Sequence, residues 1–258
     1  PQLERLMKII ISSATLNESV PDLFHRIHNI KFATFNIPQM GFLHPVKTIT
    51  RPNENALDVV LELYKKRQRN DQILCFVNSV TEVNQYCQLL SKISGGTITA
   101  YPLIQSQSSS TQEHYIEHGS VFFSTTVAET SLTFPALKYV VDTAMVNIPI
   151  YDLDSKRTVL KEVRAAESTI KQRRGRLGRT RPGEYYALYS FKVEDKPYPT
   201  PHICLSNLAN IEFSLRRSPI RHGLHYLQQF LPDKPAKKAL YAAVNELREM
   251  GKKAILLV

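Results

Sequence analysis

Short, unbroken apolar runs alternate along this chain with segments whose apolar residues recur every three or four positions. Lys8-Ile-Ile-Ile11 reads as a buried strand ending at Ser12-Ser13-Ala14-Thr15. From Ala56 to Arg67, the residues Leu57, Val60, Leu61 and Tyr64 fall at i, i+3, i+4 and i+7, one face of a helix. Ile73-Leu-Cys-Phe-Val77 is continuously apolar, as a strand covered on both faces must be. Ser79-Val-Thr-Glu82 is a capping-box pattern that opens a second helix, with Val80, Val83, Cys87 and Leu90 on one stripe and Gly95-Gly96 at its end. Further strands are predicted at Thr97–Tyr101, Val121–Ser124 and Lys138–Val141, with a polar helix around 111–118 between the first two.

Strand and helix alternating in this way imply crossover units and a mainly parallel sheet, an α/β fold. Residues 145–163 break the rhythm. Met145–Tyr151 and Thr158–Val163 flank the polar turn Asp152-Leu-Asp-Ser155, which predicts an antiparallel hairpin projecting from the sheet. A helix carrying several arginines follows, then a strand at Glu184–Tyr189. Prolines at 197, 199 and 201 mark a boundary, beyond which the pattern turns helical. Residues 235–250 place Leu240, Val244 and Leu247 on one stripe, and Gly251 is the expected stop.

Of the 258 residues, 43% are apolar and 22% charged, the balance of a globular protein rather than a disordered tail. No apolar stretch approaches the roughly 20 residues of a membrane helix. Three cysteines without a C-x-x-C argue against a disulfide framework or a zinc site and fit a reducing, intracellular setting, cytoplasmic or nuclear. The eight histidines are assigned no metal role. The opening Pro-Gln-Leu-Glu-Arg, lacking an initiator Met or a leader, reads as a piece excised from a longer protein.

Charge adds more. The 33 Lys and Arg against 23 Asp and Glu leave a net +10, and Lys156–Arg181 alone supplies +8 of it, from ten basic and two acidic residues. Such concentration fits a polyanion, nucleic acid or nucleotide phosphates, or else a solvated basic face. Its densest part is Gln172-Arg-Arg-Gly-Arg-Leu-Gly-Arg179. On a helix, Arg176 and Arg179 would sit at i, i+3 and point the same way. Two guanidiniums aimed together suit a phosphoryl group in its transition state. A nuclear-localisation run or nonspecific RNA contact would use similar composition.

This segment resembles motif VI of superfamily-two helicases, particularly the DEAH-box and related DExH RNA helicases. Ser13-Ala14-Thr15 resembles motif III, Ile73–Asn78 motif IV, and Ser124-Thr-Thr-Val-Ala-Glu-Thr-Ser-Leu-Thr133 with Tyr139-Val-Val-Asp142 the motif V region, all in family order. The resemblance implies a RecA-like parallel sheet flanked by helices, with a protruding β-hairpin and a C-terminal helical, winged-helix segment. It divides the chain into the tail of a first RecA-like domain at 1–30, a second RecA-like domain at 31–198, and the start of a winged helix at 199–258.

The same resemblance assigns roles. Gln172, Arg176 and Arg179 act in ATP hydrolysis. Thr133 and Tyr115 face the nucleotide, with Ile116 as an alternative to Tyr115 and ordinary packing as another reading of that tyrosine. Ser124, Thr125 and Thr126, on a hydroxyl-rich turn at the carboxyl edge of a parallel sheet, contact the RNA backbone. Ser13 and Thr15 couple hydrolysis to strand movement, and the hairpin separates strands. One departure is plain: Phe134-Pro135-Ala136 stands where the family has Ile-Asp-Gly. There is no G-x-x-x-x-G-K-[ST] and no Asp-Glu pair, so ATP and Mg2+ are expected to be held mainly by an upstream domain. The implied partners are RNA, as a single strand or a duplex with a single-stranded tail, and the rest of the same polypeptide, with no membrane. A nonenzymatic RNA-binding or scaffolding module of helicase-like fold is the alternative.

Overall fold

A computed structural model of the chain describes residues 43–129, 132–190, 197–219 and 221–255, with scattered positions before residue 43. Ile37–Pro199 form one compact unit, and Thr200–Val258 fall in a second.

The first unit is built on a six-stranded parallel sheet. Its strands are β1 (Val46–Thr50), β2 (Gln72–Phe76), β3 (Ala100–Leu103), β4 (Val121–Ser124), β5 (Leu137–Asp142) and β8 (Gly183–Ala187), in the order β1-β8-β5-β2-β4-β3. The helices between them are α1 (Ala56–Lys66), α2 (Val80–Ile93), α3 (Ser109–His118) and α4 (Glu167–Arg174). The central strands are mostly apolar because both faces are covered, with polar residues such as Gln72, Ser124 and Asp142 at their ends. From β2, Ile73 and Cys75 pack with Val60, Leu63, Val83 and Leu90 of α1 and α2. Leu74 and Phe76 turn to the other face, with Phe122, Tyr185, Ile116 and Ile170.

The capping box forms with a shifted return arm. Ser79 accepts from the Glu82 amide, while the Glu82 carboxylate accepts from the Asn78 amide rather than from that of Ser79. Within the predicted stripe of α2, Val83 and Leu90 are buried but Val80 is 46% exposed, at the outer rim of the first turn. Strand β3 starts three residues later than expected. The turn after α2 extends through Ile98, whose amide donates to the Ser94 hydroxyl. Pro102 then lies within the strand, tolerated because β3 is an edge.

Among the described residues, two strands stand outside the main sheet. β6 (Met145–Asp152) and β7 (Arg157–Arg164) pair only with each other, in register from Met145↔Arg164 to Asp152↔Arg157. The Asp152 carboxylate accepts from the Ser155 amide at 3.0 Å and closes the turn.

In the second unit, α5 (Ala209–Arg217), α6 (Leu224–Leu227) and α7 (Lys237–Ile255) enclose Leu208, Ala209, Leu224, Leu240 and Ala243. Glu212, 2% exposed, accepts from the Leu224 amide at 2.6 Å and from Arg216. Gly251 does not stop the last helix, which continues to Ile255. A mid-helix glycine costs only about 1 kcal/mol relative to alanine, less than neighbouring turns supply.

Candidate functional site

The predicted site residues divide between the two edges of the sheet. β4 ends at Ser124, and the 3-10 helix Thr126–Glu129 follows at the carboxyl edge. Ser124 itself is fully buried, and its hydroxyl donates to the carbonyls of Leu103 and Thr125 at 3.0 and 3.1 Å. It therefore fastens β4 to β3 and presents no hydroxyl to a ligand. Thr125 is half-buried and Thr126 exposed, so these two carry the hydroxyl edge.

Thr133 is exposed on the crossover that leads to the opposite, amino edge, where β5 begins at Leu137. There the Gln72 side chain donates to the carbonyls of Ile116 and Gly119 at 2.7 and 3.1 Å, and accepts from the Ala136 amide. Tyr115 is half-buried on α3, its ring 4.8 Å from that of Tyr101. Ile116 is buried in the core beside it. One side of the tyrosine is thus committed to packing. Ser13 and Thr15 lie outside the described residues.

The arginine segment is not one helix. α4 ends at Arg174, and the Gly175 amide closes it on the Lys171 carbonyl at 2.8 Å. Residues 176–181 form a loop, with Gly178 at φ +72°, a left-handed conformation that glycine adopts without strain. The expected i, i+3 alignment of Arg176 and Arg179 on a helix face is therefore replaced by a turn. Arg176 is half-buried and donates to the Leu132 carbonyl at 3.2 Å, next to Thr133. Arg179 is exposed and donates to the Gly175 carbonyl at 3.0 Å.

The two guanidiniums still feel each other. Burial first, and the charge of Arg179 second, pull the pKa of Arg176 down to about 10. Buried Leu177 and the Arg181–Asp71 ion pair at 2.8 Å pin the loop at its middle and far end. Half-buried Gln172 sits in the last turn of α4, one residue before Arg173, while the loop that carries Arg179 is tied to the amino edge through Arg181 and Asp71, away from Thr125 and Thr126.

The third arginine of the run has a different place. Arg173 is fully buried, donating from Nε to Glu129 at 2.8 Å and from Nη1 to Asp142 at 2.7 Å, with its guanidinium 4.8 Å from the centre of the Phe76 ring. Asp142 also accepts from the Tyr185 hydroxyl at 2.6 Å and the Ala144 amide at 2.7 Å. Burial by itself would lower the Arg173 pKa, but Asp142 and Glu129 outweigh it and hold the group firmly charged. Glu129 is raised above the ordinary carboxylate range, by burial first, with Asp142 adding to it against the pull of Arg173. One cation cannot fully neutralise two buried carboxylates, and the more accessible one yields.

This cluster joins the turn after β4, the end of β5 and α4. Sequence reasoning missed it, counting Arg173 with the basic surface. The available signal was two lone acids, Glu129 and Asp142, set in apolar or hydroxylic runs.

A second missed contact anchors the hairpin. Asn78, just after β2, donates to the Glu162 carboxylate on β7 at 2.6 Å and accepts from the Thr143 hydroxyl at 3.2 Å. The Ala165 amide meets the Ala144 carbonyl at 2.7 Å across the hairpin base.

Residues 55–181 match the helicase conserved C-terminal domain family. The chain is 28% identical to the pre-mRNA-splicing factor ATP-dependent RNA helicase prp22 of Schizosaccharomyces pombe, over 93% of this chain and 21% of the relative. It is 31% identical to the ATP-dependent RNA helicase DEAH12, chloroplastic, of Arabidopsis thaliana, over 76% of this chain and 11% of the relative. The chain thus spans about a tenth to a fifth of these two relatives' lengths. Among solved structures, the DEAH/RHA helicase HrpB of Escherichia coli superposes with a TM-score of 0.68 at 23% identity, over 92% of this chain and 30% of that one. This last likeness is one of fold.

Proposed function

The chain belongs to the DEAH/DExH helicases of superfamily two, with residues 55–181 as its helicase conserved C-terminal domain, and we propose that it forms the second RecA-like half of an ATP-dependent RNA helicase. The observation that carries this reading is the fixed loop after α4, where half-buried Arg176 donates to the Leu132 carbonyl, one residue before Thr133, and Arg179 is exposed.

In this reading the upstream domain brings ATP and Mg2+ to that loop. The residues gathered there are cationic or neutral donors, so they suit phosphate oxygens and offer no ligand set to magnesium. Gln172 positions the attacking water or the γ-phosphate, and Thr133 faces the nucleotide. Arg179, already in solvent, and Arg176, after release from the Leu132 carbonyl, neutralise charge on the equatorial oxygens of the transferred group. Arginines placed this way contribute roughly 10³–10⁵ in rate. Desolvation of Arg176 strengthens its attraction to an arriving phosphate, because water no longer screens it.

At the carboxyl edge, Thr125 and Thr126 bind phosphodiester oxygens of single-stranded RNA without reading bases. The buried Arg173 cluster holds loop and turn in fixed relation, so that closing the arginine loop on a nucleotide displaces the RNA-binding turn with it. The hairpin, rooted at Asn78 and Ala144, stands as a wedge at the duplex junction.

The test is Arg179→Ala in the full-length protein. RNA-stimulated ATP hydrolysis should fall by about 10³ or more, with little change in RNA affinity. Near-normal turnover with lost RNA binding would make these arginines RNA ligands and favour a nonenzymatic binding module.

A further inference from the structure

His114 and His118 lie one helical turn apart at the end of α3, an H-x-x-x-H spacing, and both side chains are exposed. Their ring centroids are 4.4 Å apart with planes tilted by 38°. Nδ1 of His118 is 2.9 Å from the His114 carbonyl oxygen. A carbonyl can only accept, so Nδ1 carries the proton and the neutral ring keeps its lone pair on Nε2. Fixing one imidazole nitrogen through a backbone carbonyl is how metal-binding histidines are commonly oriented.

The surroundings favour a cation. His118 is the last residue of α3, where unpaired carbonyls give the helix end its partial negative charge. Glu113 and Glu117 are exposed on the same helix, and no Lys or Arg lies within it. We propose that His114 and His118 chelate one divalent transition-metal ion of the kind that prefers imidazole nitrogen. Among the described residues no group of three or more His, Cys, Asp and Glu forms, so water completes the coordination shell. The chelate ties the last turn of α3 and holds Tyr115, which lies between the two ligands, against Tyr101.

The proposal is independent of the helicase reading, and tag-free chain titrated with NiCl2 tests it by calorimetry. One Ni2+ per chain should bind saturably, more tightly than Co2+ and far more tightly than Mn2+. His114→Ala and His118→Ala should each weaken Ni2+ binding at least tenfold while melting like the parent without metal. Paramagnetic broadening should appear first at amides of Ser109–His118. Absence of saturable binding, or parent-like affinity in both variants, would overturn the site; the latter would place the ion on other ligands.

Discussion

Arg173 and Asp142 form a 2.7 Å ion pair in which neither side chain has any solvent exposure. Glu129 closes the other side of the guanidinium. Removing one partner from such a pair typically costs about 3–5 kcal/mol, because a charge is left buried and uncompensated. Arg173→Met should therefore destabilise the chain by about that amount, and Asp142→Asn nearly as much. Glu129→Gln should cost clearly less, since Asp142 still neutralises the arginine. Urea unfolding of the three variants checks the order; a Glu129→Gln loss equal to that of Arg173→Met would refute it.

The same cluster sets a pH dependence. The folded-state pKa of Glu129 is raised by its burial, so the folded chain binds this proton more readily than the unfolded one. The cost of the buried carboxylate is present above the folded pKa and is relieved as pH falls through it toward 4.5. The parent should gain stability relative to Glu129→Gln on going from pH 7.5 to 5. Paired melting curves at the two pH values would show it, and a relative loss on acidification would reverse the assignment.

Charge repulsion in the arginine loop gives a second stability test. Arg176 is depressed to about 10, partly by Arg179, so at neutral pH the folded chain bears the cost of two guanidiniums held close. Arg179→Gln should raise the melting temperature at low salt, and the gain should shrink as salt screens the pair. Loss of the Arg179 charge, proposed to slow turnover in the full-length protein, would thus stabilise this chain. A fall in melting temperature would show that the Arg179 contact with the Gly175 carbonyl matters more than the repulsion.

Much of the sheet was legible in advance because a strand buried on both faces leaves an unbroken apolar run, as at Ile73–Val77 and Val121–Ser124. The hairpin was legible for the opposite reason, a polar turn between two runs that pair with each other. What misled was local rule-following around charged residues. The helical period carried Arg176 and Arg179 onto one face, although Gly175 and Gly178 end that helix. Ser124 read as an edge hydroxyl, yet it points into the core. Arg173 looked like surface, because its burial depends on acids 31 and 44 residues away in sequence.

The division of labour predicts inactivity. The chain has no phosphate-cradling G-x-x-x-x-G-K-[ST] and no Asp-Glu pair, and its only Gly-Lys step is Gly251-Lys252 at the end of α7. Purified alone, it should show no RNA-stimulated ATP hydrolysis above a no-enzyme control. Robust turnover would mean that the arginine loop is not dependent on a second domain.

The last prediction separates translocation from strand separation. β7 leaves Leu160, opposite Pro149, 70% exposed, an apolar side chain in solvent that a merely tolerated insertion would not need. Lys156, at φ 55°, and Arg157 close the tip beside Asp152. An apolar flank with cations near the tip suits a wedge that stacks on an end base pair while contacting its phosphates. Replacing Asp152–Arg157 by a short glycine-containing turn should leave folding and RNA-stimulated ATP hydrolysis of the full-length protein nearly intact, while duplex unwinding falls sharply. Asn78→Ala, which removes the tether to Glu162, should act the same way more mildly by freeing the hairpin at its root. Unchanged unwinding in the turn replacement would rule out the wedge. Joint loss of hydrolysis and unwinding would mean that the hairpin holds RNA or the fold.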